Sequence, residues 1–189
     1  MKIAILGSAT NIVSKENKLL CKKVGSYLAQ KKITVVTGGS HGIPGLVVLS
    51  AFKAGAKTIA YSPDKNKKEH HLRNDNLPLK YFKKTKFIPG FTARSLAMIK
   101  DVDGVLVING RVGTLSEFTI ALEEGLHIAV LKNSGGIANH LEYIVSVARK
   151  EFPNKVIFEI DYKKAIDDLI DLINQSSKRR VIANTGKEK

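Results

Sequence analysis

Short, wholly apolar runs that alternate with longer segments of helical periodicity constrain the fold of this chain more than any other feature. Each run carries aliphatic and β-branched side chains in succession. Strands buried on both faces have this composition, whereas a half-buried strand alternates apolar and polar residues. Helices between such strands imply right-handed crossovers. The sequence therefore predicts an α/β fold, a doubly wound parallel sheet in three layers, α/β/α. The predicted strands are residues 2–6, 33–37, 57–61, 104–108, 127–131 and 156–159.

The segments between the predicted strands divide into helices and one irregular insertion. The predicted helices are residues 15–30, 43–54, 92–100, 113–125, 138–150 and 161–176. Residues 62–86 are polar and basic and contain two of the five prolines, which predicts a loop. We expect one domain over residues 1–177, followed by a basic, frayed tail over residues 178–189.

Size, cysteine content and hydropathy together indicate a cytoplasmic protein. A chain of 189 residues can bury a core without a disulfide or metal to stabilise it. The single cysteine, Cys21, excludes a disulfide framework and a cysteine-based metal site. No apolar run approaches the roughly 18 residues of a membrane span. The apolar run at residues 3–6 is also shorter than the roughly 7–15-residue core of a signal peptide. We therefore expect no association with a membrane.

The positive charge of the chain is concentrated in three segments. Residues 15–32, 64–86 and 176–189 together account for the whole formal net charge of +14. Basic segments suit nucleic acid, an acidic surface or a phosphorylated ligand, although solvated helix faces in a lysine-rich protein look the same. The lysine-rich segments lack the regularly spaced aromatic residues of an RNA-binding sheet. We therefore do not expect a nucleic-acid partner.

Four glycine-rich turns follow the ends of predicted strands, at residues 7–10, 38–42, 109–114 and 134–136. In a parallel sheet these ends share one edge, where ligands bind. Glycines let backbone N–H groups approach an anion, and a following helix adds its positive end. Gly7 and Ser8 begin the first of these turns. Glycines used only for tight turns remain an alternative for any single turn.

Known cofactor and metal motifs are missing from the sequence. There is neither a GxGxxG motif nor a phosphate-binding GxxxxGK[ST] motif. The histidines lack metal-ligand spacing. We therefore predict no cofactor and no metal. The pair His70–His71 is predicted to be solvated, and His127, at the start of a strand, to be structural.

Arg94 and Glu117 stand out by position. Glu117 lies one turn into the helix that follows Gly113 and Thr114, and Arg94 lies in the first turn of the preceding helix. A guanidinium and a carboxylate beside an anion-binding turn suit a phosphorylated sugar. The arginine would clamp the phosphate, and the carboxylate would contact ribose hydroxyls or a developing cation. An acidic residue in a first helical turn also serves as a simple dipole partner, so this alternative stays open.

The same residues carry a resemblance to a known family. Arg94 on a helix, then a strand, then the run NGRVGTLSE at residues 109–117 resembles the Arg and PGGxGTxxE pattern of the LOG family, often labelled lysine-decarboxylase-like. The first two glycine turns also agree, so the resemblance spans about residues 1–150. Members include cytokinin riboside 5′-monophosphate phosphoribohydrolases. The chain is similar, too, to small bacterial and archaeal Rossmann-like proteins and to molybdenum cofactor carrier proteins.

The resemblance implies an activity and roles for individual residues. It implies a Rossmann-like homodimer that hydrolyses the N-glycosidic bond of a nucleoside 5′-monophosphate, releasing a free base and ribose 5-phosphate. Arg94 and Glu117 would be the catalytic pair. The implied ligand contacts are the 5′-phosphate on Gly110, Gly113 and Thr114, and the nucleotide near Gly38 and Gly39.

Two departures from the family pattern leave alternatives open. Asn109 stands where the family has proline, and Arg111 where it has a second glycine. Arg111 would either add a phosphate ligand or fill the pocket and abolish hydrolysis. One alternative is therefore a non-catalytic carrier or sensor of a phosphorylated ligand, such as molybdenum cofactor or a nucleotide. Nucleic-acid binding through the lysine-rich segments is a third hypothesis.

Overall fold

The computed structural model describes residues 1–10, 12–148 and 155–185, with side chains to residue 177. Within these ranges seven parallel strands form one sheet. The strands are β1 (Lys2–Gly7), β2 (Thr34–Thr37), β3 (Thr58–Ser62), β4 (Lys84–Phe87), β5 (Gly104–Ile108), β6 (His127–Leu131) and β7 (Val156–Glu159). The helices are α1 (Lys15–Gln30), α2 (Gly42–Lys53), α3 (Lys67–Leu72), α4 (Phe91–Lys100), α5 (Val112–Glu123), α6 (Leu141–Val147) and α7 (Tyr162–Thr185), with short 3₁₀ turns at Leu79–Tyr81 and Gly136–Asn139.

Side chains of the central strands alternate between two separate cores. Ile3 and Ile5 of β1 pack with α1, α2 and α7 on one face of the sheet. Ala4 and Leu6 pack with α4, α5 and α6 on the other face. Both sets are apolar because both faces are covered, which explains the uninterrupted apolar runs in the sequence. The predicted doubly wound α/β fold, and its single domain, is confirmed.

The strand order brings the glycine-rich turns to one place. The order is β4-β3-β2-β1-β5-β6-β7, so the chain builds outward from β1 and then returns through α4 to place β5 beside β1. The order reverses between β1 and β5, which is where open α/β sheets bind ligands. The first two turns pack together there. The N–H of Ile43 donates to the carbonyl of Ser8 over 2.8 Å, and a Cβ on Gly42 would lie 2.2 Å from that carbonyl oxygen.

The prediction of a loop over residues 62–86 is wrong. This insertion contains α3, a 3₁₀ turn and the edge strand β4. Asn66 begins α3 by accepting a hydrogen bond from the N–H of Glu69 over 3.0 Å. The sequence of β4, Lys-Thr-Lys-Phe, is mixed because an edge strand is not buried on both faces. An expectation of wholly apolar strands therefore misses it.

The last two predicted helices also differ from the structure. The predicted helix over residues 138–150 begins as the 3₁₀ turn and continues as α6 to Val147, and residues 149–150 lie outside the described ranges. The backbone of α7 is helical to Thr185, whereas the sequence predicts a frayed tail from residue 178. No proline or glycine lies between Tyr162 and Thr185 to interrupt this helix. In the part of the chain that the structure describes, no helix has the length and hydropathy to cross a bilayer.

Candidate functional site

An open pocket lies at the point where the strand order reverses. Its volume is about 180 Å³. Pockets for whole drug-sized ligands hold roughly 300–1,000 Å³, so this one encloses part of such a ligand. Eight of the ten predicted site residues line it, and Gly39 and Gly110 do not. The lining residues are Ile5, Gly7, Ser8, Ala9, Gly38, Ser40, Pro44, Phe91, Arg94, Arg111, Gly113, Thr114 and Glu117.

Arg94 and Glu117 form an ion pair in this pocket. Arg94 Nη1 donates to Glu117 Oε1 over 2.7 Å, and the hydroxyl of Ser95 donates to the same oxygen over 2.9 Å. Both side chains are largely buried, with 12% and 13% of their surfaces exposed. Among the described residues no group donates to the second oxygen of Glu117, and the buried Nε of Arg94 has no acceptor. A buried donor without a partner calls for an explanation, and a bound ligand is one.

Gly38 makes room for the guanidinium of Arg94. A Cβ on Gly38 would lie 2.6 Å from Nη1 and 3.2 Å from Nη2 of Arg94. Gly38 therefore positions the arginine by lacking a side chain. Gly39, with φ +80°, turns the chain away from the pocket, and its N–H donates to Thr37 Oγ1 over 3.2 Å.

The start of α5 presents backbone donors to the pocket. The first helical hydrogen bond runs from the N–H of Leu115 to the carbonyl of Arg111 over 3.0 Å, so the N–H groups of residues 112–114 have no helical acceptor. Arg111 gives no side-chain cap, and the first turn holds no acidic residue. The helices α2 and α4 also begin without a side-chain cap or an acidic first turn. The N-termini of α2, α4 and α5 therefore carry partial positive charge that no side chain neutralises, which favours binding of an anion.

Comparison with known proteins assigns the family. Residues 1–166 match the model of the SLOG cluster4 family. The chain belongs to the SLOG cluster4 family. This confirms the LOG-like resemblance.

Solved structures share the fold of this SLOG cluster4 protein. The protein TM1055 superimposes with a TM-score of 0.77 and 20% identity, over 90% of this chain and 98% of that chain. A molybdenum cofactor binding protein from Rippkaea orientalis gives 0.68 and 19%, over 91% and 96%. DNA processing protein A from Helicobacter pylori, described with a single-stranded DNA binding mode, gives 0.60 and 19%, over 90% and 80%. At these identities the likeness establishes the Rossmann-like fold and nothing of the ligand.

The departure at Asn109 has a structural reason in this SLOG cluster4 protein. Asn109 has φ +58°, a left-handed conformation that asparagine tolerates and that the ring of proline forbids. Its N–H donates to Ser134 Oγ over 2.7 Å, and its side-chain Nδ2 donates to the Ser134 carbonyl over 2.8 Å. The N–H of Ile137 donates to the carbonyl of Gly110 over 2.9 Å. The fourth glycine turn therefore supports the third and does not line the pocket.

The side chains of Gly113, Thr114 and Arg111 differ in their surroundings. A Cβ on Gly113 would meet nothing within 4 Å, so its backbone faces open space in the pocket. Thr114 is buried and packs against Gly110, whose φ is +111°. Arg111 is exposed at the pocket wall, so the pocket is not filled by it.

His70 is buried, so the prediction that it is solvated is wrong. It is 1% exposed, with Nδ1 hydrogen-bonded to Ser62 Oγ at 2.9 Å and Nε2 to the carbonyl oxygen of Leu77 at 3.0 Å. Its neighbour His71 is exposed, as predicted. His127 is largely buried and hydrogen-bonds Ser176 Oγ at 2.7 Å, which fits its predicted structural role.

Asp64 is the charged centre of the insertion. Burial favours its neutral form, but hydrogen bonds from Ser62 and Asn76, with the positive charge of Arg73, outweigh burial and hold the pKa of the Asp64 carboxyl below its ordinary value. The insertion meets the second glycine turn where the N–H of Leu77 donates to the carbonyl of Gly39 over 2.8 Å. It therefore forms one support of the pocket.

The sequence analysis missed Phe91 and Arg73. Phe91 lines the pocket and is 59% exposed, and the guanidinium carbon of Arg73 lies 5.1 Å from its ring centroid. No motif includes either residue. The one sequence feature that could have pointed to them is a phenylalanine directly after a glycine at a helix start that follows a basic insertion. Among the described residues no three His, Cys, Asp or Glu side chains are placed to hold a metal ion.

Proposed function

We propose that this protein binds a nucleoside 5′-monophosphate in the pocket and hydrolyses its N-glycosidic bond. The observation that carries the proposal is Glu117. Arg94 and Ser95 hold one of its oxygens, and no described residue donates to the other. A carboxylate held in this way, beside an anion-binding helix end, suits a reaction in which positive charge develops on a sugar.

The start of α5 is the proposed phosphate site. The free N–H groups of residues 112–114, the hydroxyl of Thr114 and the exposed guanidinium of Arg111 supply its donors. Glu117 lies three residues after Thr114, on the same face of the helix and about 5 Å further along its axis. A ligand whose phosphate sits at the helix start therefore brings its sugar to the carboxylate.

Hydrolysis needs a group that accepts a proton from water and a negative charge that stabilises the developing cation, and the carboxylate of Glu117 can be both. Water attacks C1′ of the ribose and forms a new C–O bond, while the C1′–N bond breaks and its electron pair leaves with the base. Glu117 accepts a proton from the attacking water and stabilises the oxocarbenium-like transition state, and that proton then passes to the departing nucleobase, so that free base and ribose 5-phosphate are released. Arg94 keeps Glu117 in position, and the buried Nε of Arg94 has no acceptor among the described residues.

The test is chromatographic detection of free base from a panel of nucleoside 5′-monophosphates. We expect release by the wild type and a loss of at least about 100-fold in Glu117→Gln, which keeps the shape of the side chain but not its charge. The matched control is Glu124→Gln, at the C-terminal cap of the same helix and outside the pocket, with expected wild-type activity. Base release that survives Glu117→Gln contradicts the proposal.

A second candidate is a non-catalytic carrier of a phosphorylated ligand, as the description of the Rippkaea orientalis protein suggests. Arg111 favours it, because two arginines and one carboxylate line the pocket and this excess of positive charge suits tight binding of an anion. A carrier predicts an unreacted nucleotide or pterin that co-purifies with the protein and is identified by mass spectrometry. Release of free base by the purified protein rejects this candidate.

We further propose that the chain forms a homodimer and that its partner is a small molecule and not nucleic acid. The dimer is what the family resemblance implies. The support for a small-molecule partner is the pocket of about 180 Å³, which has room for a phosphate and a sugar. Light scattering after gel filtration tests the dimer. Binding of single-stranded DNA that competes with nucleotide and weakens steeply with salt would contradict the choice of partner.

A further inference from the structure

Phe91 is an aromatic side chain that the proposed reaction leaves without a role. It is the first residue of α4, follows Gly90 with φ +93°, and lies at the pocket. Phe91 is 59% exposed, whereas Tyr61 and Phe118 are buried in the core. A ligand that covers this exposed apolar ring removes its surface from water, which favours binding.

A positive charge holds this ring from one side. The guanidinium carbon of Arg73 lies 5.1 Å from the ring centroid of Phe91. Arg73 is held in turn by Asp64, which is 5% exposed and accepts from Arg73 Nη1 over 3.3 Å. The cation–π contact and its buried anchor restrict the orientation of the ring in the absence of ligand. Preorganisation of this kind lowers the cost of binding a flat partner.

We infer that Phe91, held by Arg73, is a stacking platform for the planar aromatic base of a nucleotide. The inference rests on the proposed phosphate site at α5. A pocket of about 180 Å³ encloses the phosphate and sugar, so the base lies at the mouth, where Phe91 is exposed. Stacking accepts any base, because every base has a π-face. The platform therefore selects nucleotides over pentose phosphates, favours the larger purine ring and discriminates weakly among purines.

The experiment uses the fluorescent nucleotide 2-aminopurine riboside 5′-monophosphate, whose emission is quenched when the base stacks. The chain contains no tryptophan, so the probe is excited without a protein background. Binding is followed by stopped flow before any bond is cleaved. In the wild type we expect quenching and displacement of the probe by ribose 5-phosphate. In Phe91→Leu we expect the quenching to disappear and the affinity for the probe to fall by about 5- to 100-fold.

The controls separate the platform from the phosphate site. The affinity for ribose 5-phosphate, which has no base, should change less than about twofold in Phe91→Leu. Phe52→Leu changes an exposed phenylalanine outside the pocket and should behave as the wild type. Arg73→Gln should weaken the quenching, because the ring loses its support. If ribose 5-phosphate displaces the probe but Phe91→Leu quenches it as the wild type does, the platform is refuted. If ribose 5-phosphate does not bind the wild type, the proposed phosphate site fails instead.

Discussion

A methyl group on Gly38 provides the sharpest test of how the pocket is built. In Gly38→Ala the new Cβ would lie 2.6 Å from Arg94 Nη1, so the guanidinium must move by about 0.8 Å to reach an ordinary contact of 3.4 Å. Gly38 does not have a positive φ, so alanine adds no backbone strain. The displaced atom is the end of a long side chain, so the free energy of unfolding should fall by about 1 kcal/mol or less.

The same displacement should be costly for the reaction. The 2.7 Å bond between Arg94 Nη1 and Glu117 Oε1 lengthens or breaks, and a misplacement near 1 Å can cost about 100-fold in rate. We therefore expect kcat/KM for base release to fall by about 100-fold in Gly38→Ala, with Tm within a few degrees of the wild type. Base release and thermal unfolding are measured on the same preparation.

A double-mutant cycle with Arg94→Lys tests the cause of this loss. Lysine lacks the planar fork that lies against Gly38, so Gly38→Ala should add little in the Arg94→Lys background. Two results would refute the reasoning. One is a Gly38→Ala variant as active as the wild type, and the other is full additivity of the two substitutions.

Three further predictions concern the supports of the pocket. Asn109→Pro should lower the free energy of unfolding by about 3 kcal/mol or more, because proline excludes φ +58° and removes the N–H bonded to Ser134, whereas Asn109→Gly should cost about 1 kcal/mol; calorimetry compares them. His70→Phe should cost about 1–3 kcal/mol in urea unfolding, because it leaves the carbonyl of Leu77 without its buried partner, and a loss below about 0.5 kcal/mol would contradict that. The pKa of Asp64 is lowered in the folded state, so its contribution to stability is complete above its unfolded pKa of about 4 and is lost as the pH falls through the lower folded value. Below pH 4 the free energy of unfolding should therefore change less with pH in Asp64→Asn than in the wild type, as measured by urea unfolding at a series of pH values.

Much of the fold could be predicted because burial on both faces of a sheet leaves a local record. The six predicted strands are confirmed to within a residue or two, and the four glycine turns do follow strand ends at one edge. Arg94 and Glu117 could be placed near each other because helical periodicity relates each of them to a glycine turn. Their functional roles stay predictions.

The errors fall where stability comes from distant residues. The insertion at residues 62–86 reads as a polar loop, yet His70 is buried because Ser62 and Leu77 supply partners for its two ring nitrogens. Edge strand β4 is paired with β3 and does not need an apolar sequence. No local pattern encodes either outcome, because each depends on which segments meet in space.

The sequence by itself determined the class of fold, the edge of the sheet that carries the site and the types of residue found there. These follow from composition and spacing, which act over a few residues. Only the tertiary structure decided which glycines line the pocket. Gly38 has no side chain, so the guanidinium of Arg94 can lie against it, and Ser134 of the fourth turn accepts a hydrogen bond from Asn109. The tertiary structure likewise decided that Arg73 contacts the exposed ring of Phe91. Arg73 belongs to the insertion at residues 62–86, where its hydrogen bond to Asp64 holds it in place.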